Sequence, residues 1–568
     1  MARVLGVNAV FHDPAAALVV DGRIVAAAEE ERFSRRKHGK DPVPFSTWEL
    51  PIQAAKWCLA EAGLDPASLD AVAYSYDPAL CARSDDLVAA EWEGLRTLYA
   101  ERAPRFLATA LPGLDQAAVR HVPHHVAHAA SAYLAGPSPS TAVMVLDGRG
   151  EASSYLAGRA GAGGLEVLAT QALPHSIGLL YEEVTDHLGF RRSSDEYKVM
   201  ALASYADAAH IDVFRGAVRV NPDGGFRVDP VDLGSLVPRR ESDEPVDRRH
   251  AELAASVQRR VEEVILELAH WLHERTGESA VALAGGVALN CVANSRLAAE
   301  GPFESVWVQP AAGDAGTALG AALYVADGLG DHVQPMSTAA LGRSWSDDEL
   351  RAVLEQSLVD YEEPDDVAET VAEALAEDRI VAWFQGRSEW GPRALGQRSL
   401  LADPRQVANL ERLNLVKGRE QFRPVAPMVL EDRAADVFVG PLPSPYMLFV
   451  HQVRAEWKGR IPAATHVDGT ARAQTVQRDP DDAMSRVLEA FERRTGVPVV
   501  VNTSFNTAGR PMVDSPHDAL ECFGSSPVDL LAIGPFVVRS ARQSSAPAAV
   551  RSGQEPLARE AALAGAAG

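Results

Sequence analysis

Residues 3–29, RVLGVNAVFHDPAAALVVDGRIVAAAE, decide the fold. Arg3–Asn8 is an apolar run that reads as a strand, and Phe11-His12-Asp13 stops it with a polar turn. Ala15–Val20 reads as a second strand. Asp21-Gly22 is a hairpin dipeptide, and Arg23–Ala28 reads as the returning third strand. Further strands read at Ala71–Tyr74, Ala142–Leu146, Val281–Leu283 and Val306–Val308. Between them, helices read over Pro51–Ala62, Val126–Ala135, Arg248–Thr276 and Ala315–Ala326. Strands that alternate with helices specify an α/β architecture.

At 568 residues the chain is too long for one hydrophobic core. Segment 327–346 carries Gly, Asp and Ser without periodicity, so the expected division is a first domain over 1–335 and a second over 346–540. The second domain holds the strand Ile380–Phe384, a dense motif at 386–428 and the strand Val499–Val501. Pro498 stands before that last strand, where a missing N–H costs little. Residues 541–568 are rich in Ala, Ser and Gly and are expected to be disordered. The opening strand–turn–strand–turn–strand unit is how actin-like ATPase and sugar-kinase domains begin, with a phosphate held at the first turn.

Composition excludes several classes. A net charge of −24 repels phosphate backbones and argues against non-specific nucleic-acid binding, while leaving room for one basic pocket. Cys58, Cys81, Cys291 and Cys522 are far apart and form no CxxC pair, which fits a reducing cytoplasm. His12-Asp13-Pro14 interrupts the N-terminal apolar stretch, so it does not read as a secretion signal. No apolar run approaches the roughly 20 residues of a membrane helix.

His124-His125-Val126-Ala127-His128 is the first constellation with chemistry. His124 and His128 are four apart and share a helical face, close enough to hold one metal. The glutamate of HExxH is missing, which disfavours a zincin-type peptidase. The strand Ala142–Leu146 runs into Asp147-Gly148-Arg149-Gly150, an acid at a strand end beside two glycines that allow close approach of phosphate. Asp314 precedes a small-residue helix in AAGDAGTALG. Two His and two Asp make a mixed nitrogen and oxygen set that suits iron(II), zinc or manganese. Between these, Gly285-Gly286 ends a strand in LAGGVALN, and backbone N–H groups there can cradle a nucleotide phosphate, with Asn290 close behind.

The second half concentrates cations among glycines. GRSEWGPRALGQRS (386–399) carries Arg387, Arg393 and Arg398, and KGREQFRP (417–424) adds Lys417, Arg419 and Arg423. Arg472 lies in a polar loop, and Asn502 and Ser504 end an apolar strand in VNTSFN. Convergent Arg and Lys with backbone donors fit a small polyanion such as ATP with a second phosphate.

With HHVAHAASAY, VLDGRGE, EYKVM, AGGVALN, GDAGTALGAAL, GRSEWGPRALGQRS, KGREQFRPVAP and VNTSFN in order, residues 3 to about 540 resemble the O-carbamoyltransferases of antibiotic and nodulation-factor biosynthesis. The resemblance implies an N-terminal actin-like (ASKHA-type) ATPase domain and a C-terminal α/β domain similar to threonylcarbamoyl-AMP synthase. It implies that the C-terminal domain joins carbamoyl phosphate and ATP, with Mg2+, into carbamoyl-adenylate. The N-terminal domain would then pass the carbamoyl group to a hydroxyl of a small natural product. By resemblance the metal, Fe2+ with Zn2+ or Mn2+ as alternatives, falls to His124, His128, Asp147 and Asp314. The catalytic histidine falls on His12 with Lys37 beside it, His12 acting as general base near its ordinary pKa of about 6.5. Gly148, Gly150, Lys198, Gly285, Gly286 and Asn290 would line the adenylate site of the first domain. Arg393, Arg398, Lys417, Arg423, Arg472, Asn502 and Ser504 would hold ATP and carbamoyl phosphate in the second. Family habit allows a homodimer. The family commonly has glycines where Ala201 and Ala206 stand here, and the two added methyl groups are expected to narrow the turn after EYKVM.

The competing readings are an actin-like sugar kinase, which leaves the second half unexplained, and an HxxxH metal-dependent hydrolase. A non-catalytic nucleotide-binding regulator would carry a basic recognition helix, and none reads at either end. The acceptor-shaping residues are expected in 75–120 and 205–250, where no motif is readable.

Overall fold

The computed structural model describes residues 2–39, 49–81 and 87–540. The tail at 541–568 lies outside the described residues. The opening meander forms as its sequence indicates: Arg3–Asn8, Ala15–Val20 and Arg23–Glu29 pair antiparallel, with Asp21 and Gly22 both at positive φ in the hairpin.

Around that meander the first half builds two five-stranded sheets with one plan. In the first sheet Arg3–Asn8 is central, the meander lies on one side, and Ala71–Tyr74 and Val119–His121 add in parallel on the other. In the second sheet Thr141–Leu146 is central. Ser153–Gly161 and Gly164–Ala172 form its meander, and Ala280–Ala284 and Ser305–Val308 add in parallel. The second sheet thus repeats the strand order and pairing of the first.

Two helices fill the space between the sheets. Ala315–Gly328 packs on the first sheet and His124–Tyr133 on the second, and the two helices pack on each other. Their small residues set how close they come. A Cβ on Gly320 would collide with the Ala127 carbonyl of the facing helix, and one on Gly6 with the Ala318 carbonyl above the sheet. This close packing brings the N-terminal ends of both helices to one place. The long helix Arg248–Thr276 covers the outer side of the second sheet, with an Asp247 capping box at its start and Gly277 in the left-handed region at its end.

The second half forms a seven-stranded mixed sheet. Its order is Gln474–Val476, Ala426–Leu430, Val499–Ser504, Arg398–Ala402, Val381–Phe384, Leu530–Ile533 and Phe536–Arg539. It is fastened to the first half by buried contacts. Gly391 N–H donates to Glu29 at 2.7 Å, Arg32 donates to the Gly391 carbonyl at 2.9 Å, and Arg387 donates to the carbonyls of Val25 and Leu341. Trp390 is fully buried within the apolar cluster of the first sheet. On another side, Tyr205 donates to the Phe422 carbonyl and Asn294 to that of Leu448.

Ala201 and Ala206 do not narrow their turn. Ala201 lies inside the helix Glu196–Leu202, and Ala206 has φ −153, an extended conformation open to any residue. Both methyls pack into the core shared with the long helix. All four cysteines are free, and among the described residues no helix is long and apolar enough to cross a membrane.

Candidate active site

The close helix packing delivers four donors to one point. His124 and His128 sit in the first turns of His124–Tyr133, which begins two residues before its apolar periodicity. Pro123 precedes the helix, and the Glu151 carboxylate accepts the His124 N–H at 2.8 Å. Asp314 is the residue before Ala315–Gly328, and Asp147 ends the strand Thr141–Leu146. One donor atom from each of the four lies within 4.8 Å of the others, and all four residues are buried. His124 Nε2 is 3.4 Å from Asp147 and 3.6 Å from Asp314, and His128 Nε2 is 3.5 Å from Asp314.

These residues fit a divalent cation. The His124 and His128 Nε2 atoms are buried without a hydrogen-bond partner among the described residues. An unsatisfied buried polar atom costs about 1–3 kcal/mol, which a ligated ion would remove. His124 Nδ1 faces the Ser75 carbonyl at 3.4 Å, so it carries the hydrogen and turns Nε2 toward the carboxylates. Gly286 N–H donates to Asp147 Oδ1 at 2.8 Å and leaves Oδ2 facing the imidazoles. Burial penalises every charge here. The opposed groups overrule it, holding Asp147 and Asp314 ionised and raising His124.

His12 stands at the edge of this cluster. Asn8 Nδ2 donates to the carbonyls of His12 and Asp13 and fixes the turn. His12 Nδ1 lies 2.9 Å from Asp13 and Nε2 lies 3.6 Å from Asp314. The ordinary pKa expected for His12 is corrected here. Burial pulls its pKa down, but Asp314 and then Asp13 raise it to about 10. A cation among the four donors would cancel the Asp314 charge, the largest of the raising influences. Lys37 pairs with Glu31 at 3.1 Å, and His38 joins Asp13 to Ser194.

The glycine turns have other tasks than the sequence suggested. Gly285 has φ +92, and any Cβ on it would strike the Leu146 backbone, so it locks two strands of the second sheet together. The Gly286 amide is taken by Asp147 and is not free for a phosphate. Asn290 caps the helix Cys291–Glu300 and pairs with Gln258, so its side chain is likewise occupied. Gly148 lies against Glu182, and Gly150 against the ring of His125. Lys198 is held between Asp195 at 3.0 Å and Glu420 at 2.8 Å, which ties the halves together rather than offering a free cation.

In the second half, Arg393, Lys417, Arg419, Arg423 and Arg472 converge. Burial and Arg472 push Arg393 down to about 9, and burial, Arg423 and Arg472 do the same to Arg419. Burial and then Arg419 hold Lys417 well below the ordinary lysine range. Lys417 donates to Ser504 Oγ at 2.8 Å and to Asn506 Oδ1 at 2.5 Å. Arg423 lies over the Tyr197 ring, 4.5 Å from its centroid, and beside Glu420 at 3.6 Å. The Nε atoms of Arg393 and Arg472 are buried and unpartnered among the described residues. Arg393 donates instead to the Leu289 carbonyl of the first half at 3.2 Å.

One residue assigned to this ligand set is committed elsewhere. Arg398 is fully buried over the Phe384 ring, and its terminal nitrogens donate to the carbonyls of Gln385, Gln397, Arg343 and Gly386. It braces the 386–397 loop from behind and has no terminal N–H group left for a ligand. Asn502 is buried, its Nδ2 donates to the Ala394 carbonyl and to Gln474, and its Oδ1 has no partner among the described residues. Arg419 was the cation the sequence reading left out of the set, although it sits in the same motif as Lys417.

Comparison with known proteins covers both halves. Residues 3–323 match the carbamoyltransferase N-terminus model and residues 372–540 the carbamoyltransferase C-terminus model. The nodulation protein NolNO of Sinorhizobium fredii is 39% identical, with 94% of this chain and 79% of that protein covered. An uncharacterised protein of Synechocystis sp. is 36% identical over 96% of this chain and 97% of its own length. Among solved structures, full-length HypF in its phosphate- and nucleotide-bound form superposes with a TM-score of 0.38 at 15% identity, covering 58% of this chain and 56% of that one.

Proposed function

The chain belongs to the carbamoyltransferase family and is an enzyme that transfers carbamoyl groups; from that premise we propose that it is an ATP-dependent, two-site O-carbamoyltransferase. This membership leaves the sugar kinase and the hydrolase without support.

In the second half, carbamoyl phosphate, ATP and a water would give carbamoyl-adenylate, phosphate and pyrophosphate. Arg393, Arg419, Arg423 and Arg472 would hold the anions in a site that shields a short-lived reactant from water. In the first half, the acceptor oxygen would attack the carbamoyl carbon. The new C–O bond forms, the bond to the AMP phosphate oxygen breaks, and the hydroxyl proton goes to His12 Nε2. His124, His128, Asp147 and Asp314 would hold a divalent cation, which when bound supplies Lewis-acid polarisation of the adenylate. Asp13 and the Asn8-braced turn would keep His12 aimed at the reacting oxygen. The acceptor would be a hydroxyl-bearing small molecule.

One observation carries this reading. The two clusters meet on one short turn: Gly286 holds Asp147 of the buried donor cluster, and the Leu289 carbonyl of the same turn takes Arg393 of the cation cluster. Two chemically opposite sites sharing four residues of backbone suit two half-reactions with a common intermediate.

The test is product analysis. Incubation with ATP, carbamoyl phosphate and a panel of polyketide, aminoglycoside and cephem alcohols should release AMP and pyrophosphate, and one acceptor should gain the mass of a carbamoyl group. ADP as the nucleotide product would overturn the reading. His12→Asn should keep adenylate formation and lose transfer, and equal loss of both would remove His12 from the proton step.

A further inference from the structure

Asp13 is held by two imidazoles, and the reading above uses only one of them. His12 Nδ1 lies 2.9 Å from Oδ2, and His38 Nδ1 lies 2.9 Å from Oδ1. A carboxylate only accepts, so both Nδ1 atoms carry the hydrogen, and in each neutral ring the lone pair is on Nε2. His38 Nε2 receives the Ser194 hydroxyl at 2.7 Å. His12 Nε2 is left as the lone-pair nitrogen that the transfer step needs. This line of hydrogen bonds joins three turns distant in sequence. Asp13 has φ +48, His38 has φ +62, and Ser193, beside Ser194, has φ +53. None is glycine, and such residues stay in the left-handed region only where their surroundings hold them. The turn that carries His38 is seated by its backbone: the His38 N–H donates to Glu31 and the Gly39 N–H to the Arg36 carbonyl, each at 2.8 Å. A Cβ on Gly39 would come to 3.0 Å from Pro14 Cδ, which brings the turn against the one that holds His12 and Asp13. The backbone is thus fixed without the imidazole, and the imidazole is left to Asp13 and Ser194.

We propose that His38 is a positioning residue for the transfer step: with Ser194 behind it, it locks the Asp13 carboxylate, and through Asp13 it keeps the His12 ring aimed at the acceptor oxygen. The proposal rests on the reading of His12 as the base of that step. The Asp13 side chain is 28% exposed. Without His38 its Oδ1 would turn to water, and the carboxylate would no longer keep one orientation against His12. Held at both oxygens, it cannot rotate without breaking two hydrogen bonds at once. A misplacement of about 1 Å in a reacting group can cost about 100-fold in rate, so this restraint is large enough to measure.

The test separates the hydrogen-bond donor from the turn. Glycine and asparagine both accept a left-handed backbone, and only asparagine puts an amide N–H where Nδ1 stands. In the full-length protein, His38→Gly should lower kcat for carbamoyl transfer by about 10–100-fold with KM for the acceptor unchanged. His38→Asn should recover most of that loss, and ATP–pyrophosphate exchange should be parental in both. In an Asp13→Gly chain, adding His38→Gly should cost nothing further, because its path to His12 is already cut. Crystal structures of the parent and of His38→Gly read the same point without turnover: the Asp13 carboxylate and the His12 ring should both leave their parental positions. An unmoved His12 ring, equal rates in the Gly and Asn variants, or losses that multiply in the double variant would overturn the proposal and leave His12 as the base. Transfer that survives His12→Asn would overturn the base assignment, and this role with it.

Discussion

The buried cluster of the first half and the cation cluster of the second are built on opposite electrostatic plans. In the first, two carboxylates face imidazoles, and the charges largely answer one another within 4.8 Å. In the second, five cations crowd together, and the nearby carboxylate of Glu420 is shared with Lys198. Opposite charges face one another in the first site, so it folds without net self-repulsion. Guanidinium stays charged, so the second is under self-repulsion until an anion relieves it. One site is a socket for a cation and the other a socket for a polyanion, and each should fail on its own.

That separation is open to direct attack. Asp314→Asn keeps shape and removes one charge from the first cluster. It should lower carbamoyl transfer by about 10³-fold or more, and metal analysis should show the ion gone. Adenylate formation, followed as ATP–pyrophosphate exchange, should persist, and its loss would merge the two sites into one.

Arg398→Met tests whether every cation of the second half belongs to the anion socket. Four carbonyls lose their donors, so urea unfolding should show a loss of about 3–4 kcal/mol. Unchanged stability with weakened ATP binding would return Arg398 to the ligand set.

Arg472→Ala should slow ATP–pyrophosphate exchange by about 100-fold, about 2.7 kcal/mol, while bound metal stays at the parental level. Loss of metal in this variant would break the comparison from the other side.

The smallest effect concerns the tie between the halves. Burial lowers the Lys198 pKa, but Glu420 and Asp195 raise it above its ordinary 10.5. Such a group stabilises the fold fully below the unfolded value, and the contribution disappears as pH rises through the higher folded value. Lys198→Met should cost about 1 kcal/mol at pH 7, with the difference from the parent closing as pH rises through the raised folded value. A pH-independent difference in thermal unfolding would mean that packing over Phe190, not charge, is what Lys198 supplies.

Much of this was legible in the sequence where the signal is local. The opening meander and the span Arg248–Thr276 are written in hairpin dipeptides and helical periodicity. The four buried donors announce themselves because His and Asp carry their chemistry in the side chain. The matching plan of the two sheets was not legible, since its parallel pairings join segments distant in sequence, Val4 with Ala71 and Ala142 with Val281, and leave no periodic trace. Arg398 and Arg393 read alike in a glycine-rich loop, and only the surrounding carbonyls tell a brace from a ligand-facing cation. Gly286 was read as a phosphate cradle because a free N–H and one held by Asp147 have the same letter. Ala201 and Ala206 looked like obstructions because a sequence records an added methyl and not the direction in which it points.

Trp390 has a consequence for how such a chain can be inherited. The second half sends this indole into the interior of the first, beside Leu341 and the small-residue helix, with Glu29 and Arg32 holding Gly391 next to it. A half borrowed from a relative would bring a plug cut for another hole. The two halves are therefore poor candidates for exchange as cassettes, and residues 29, 32, 390 and 391 form one lock whose parts must change together.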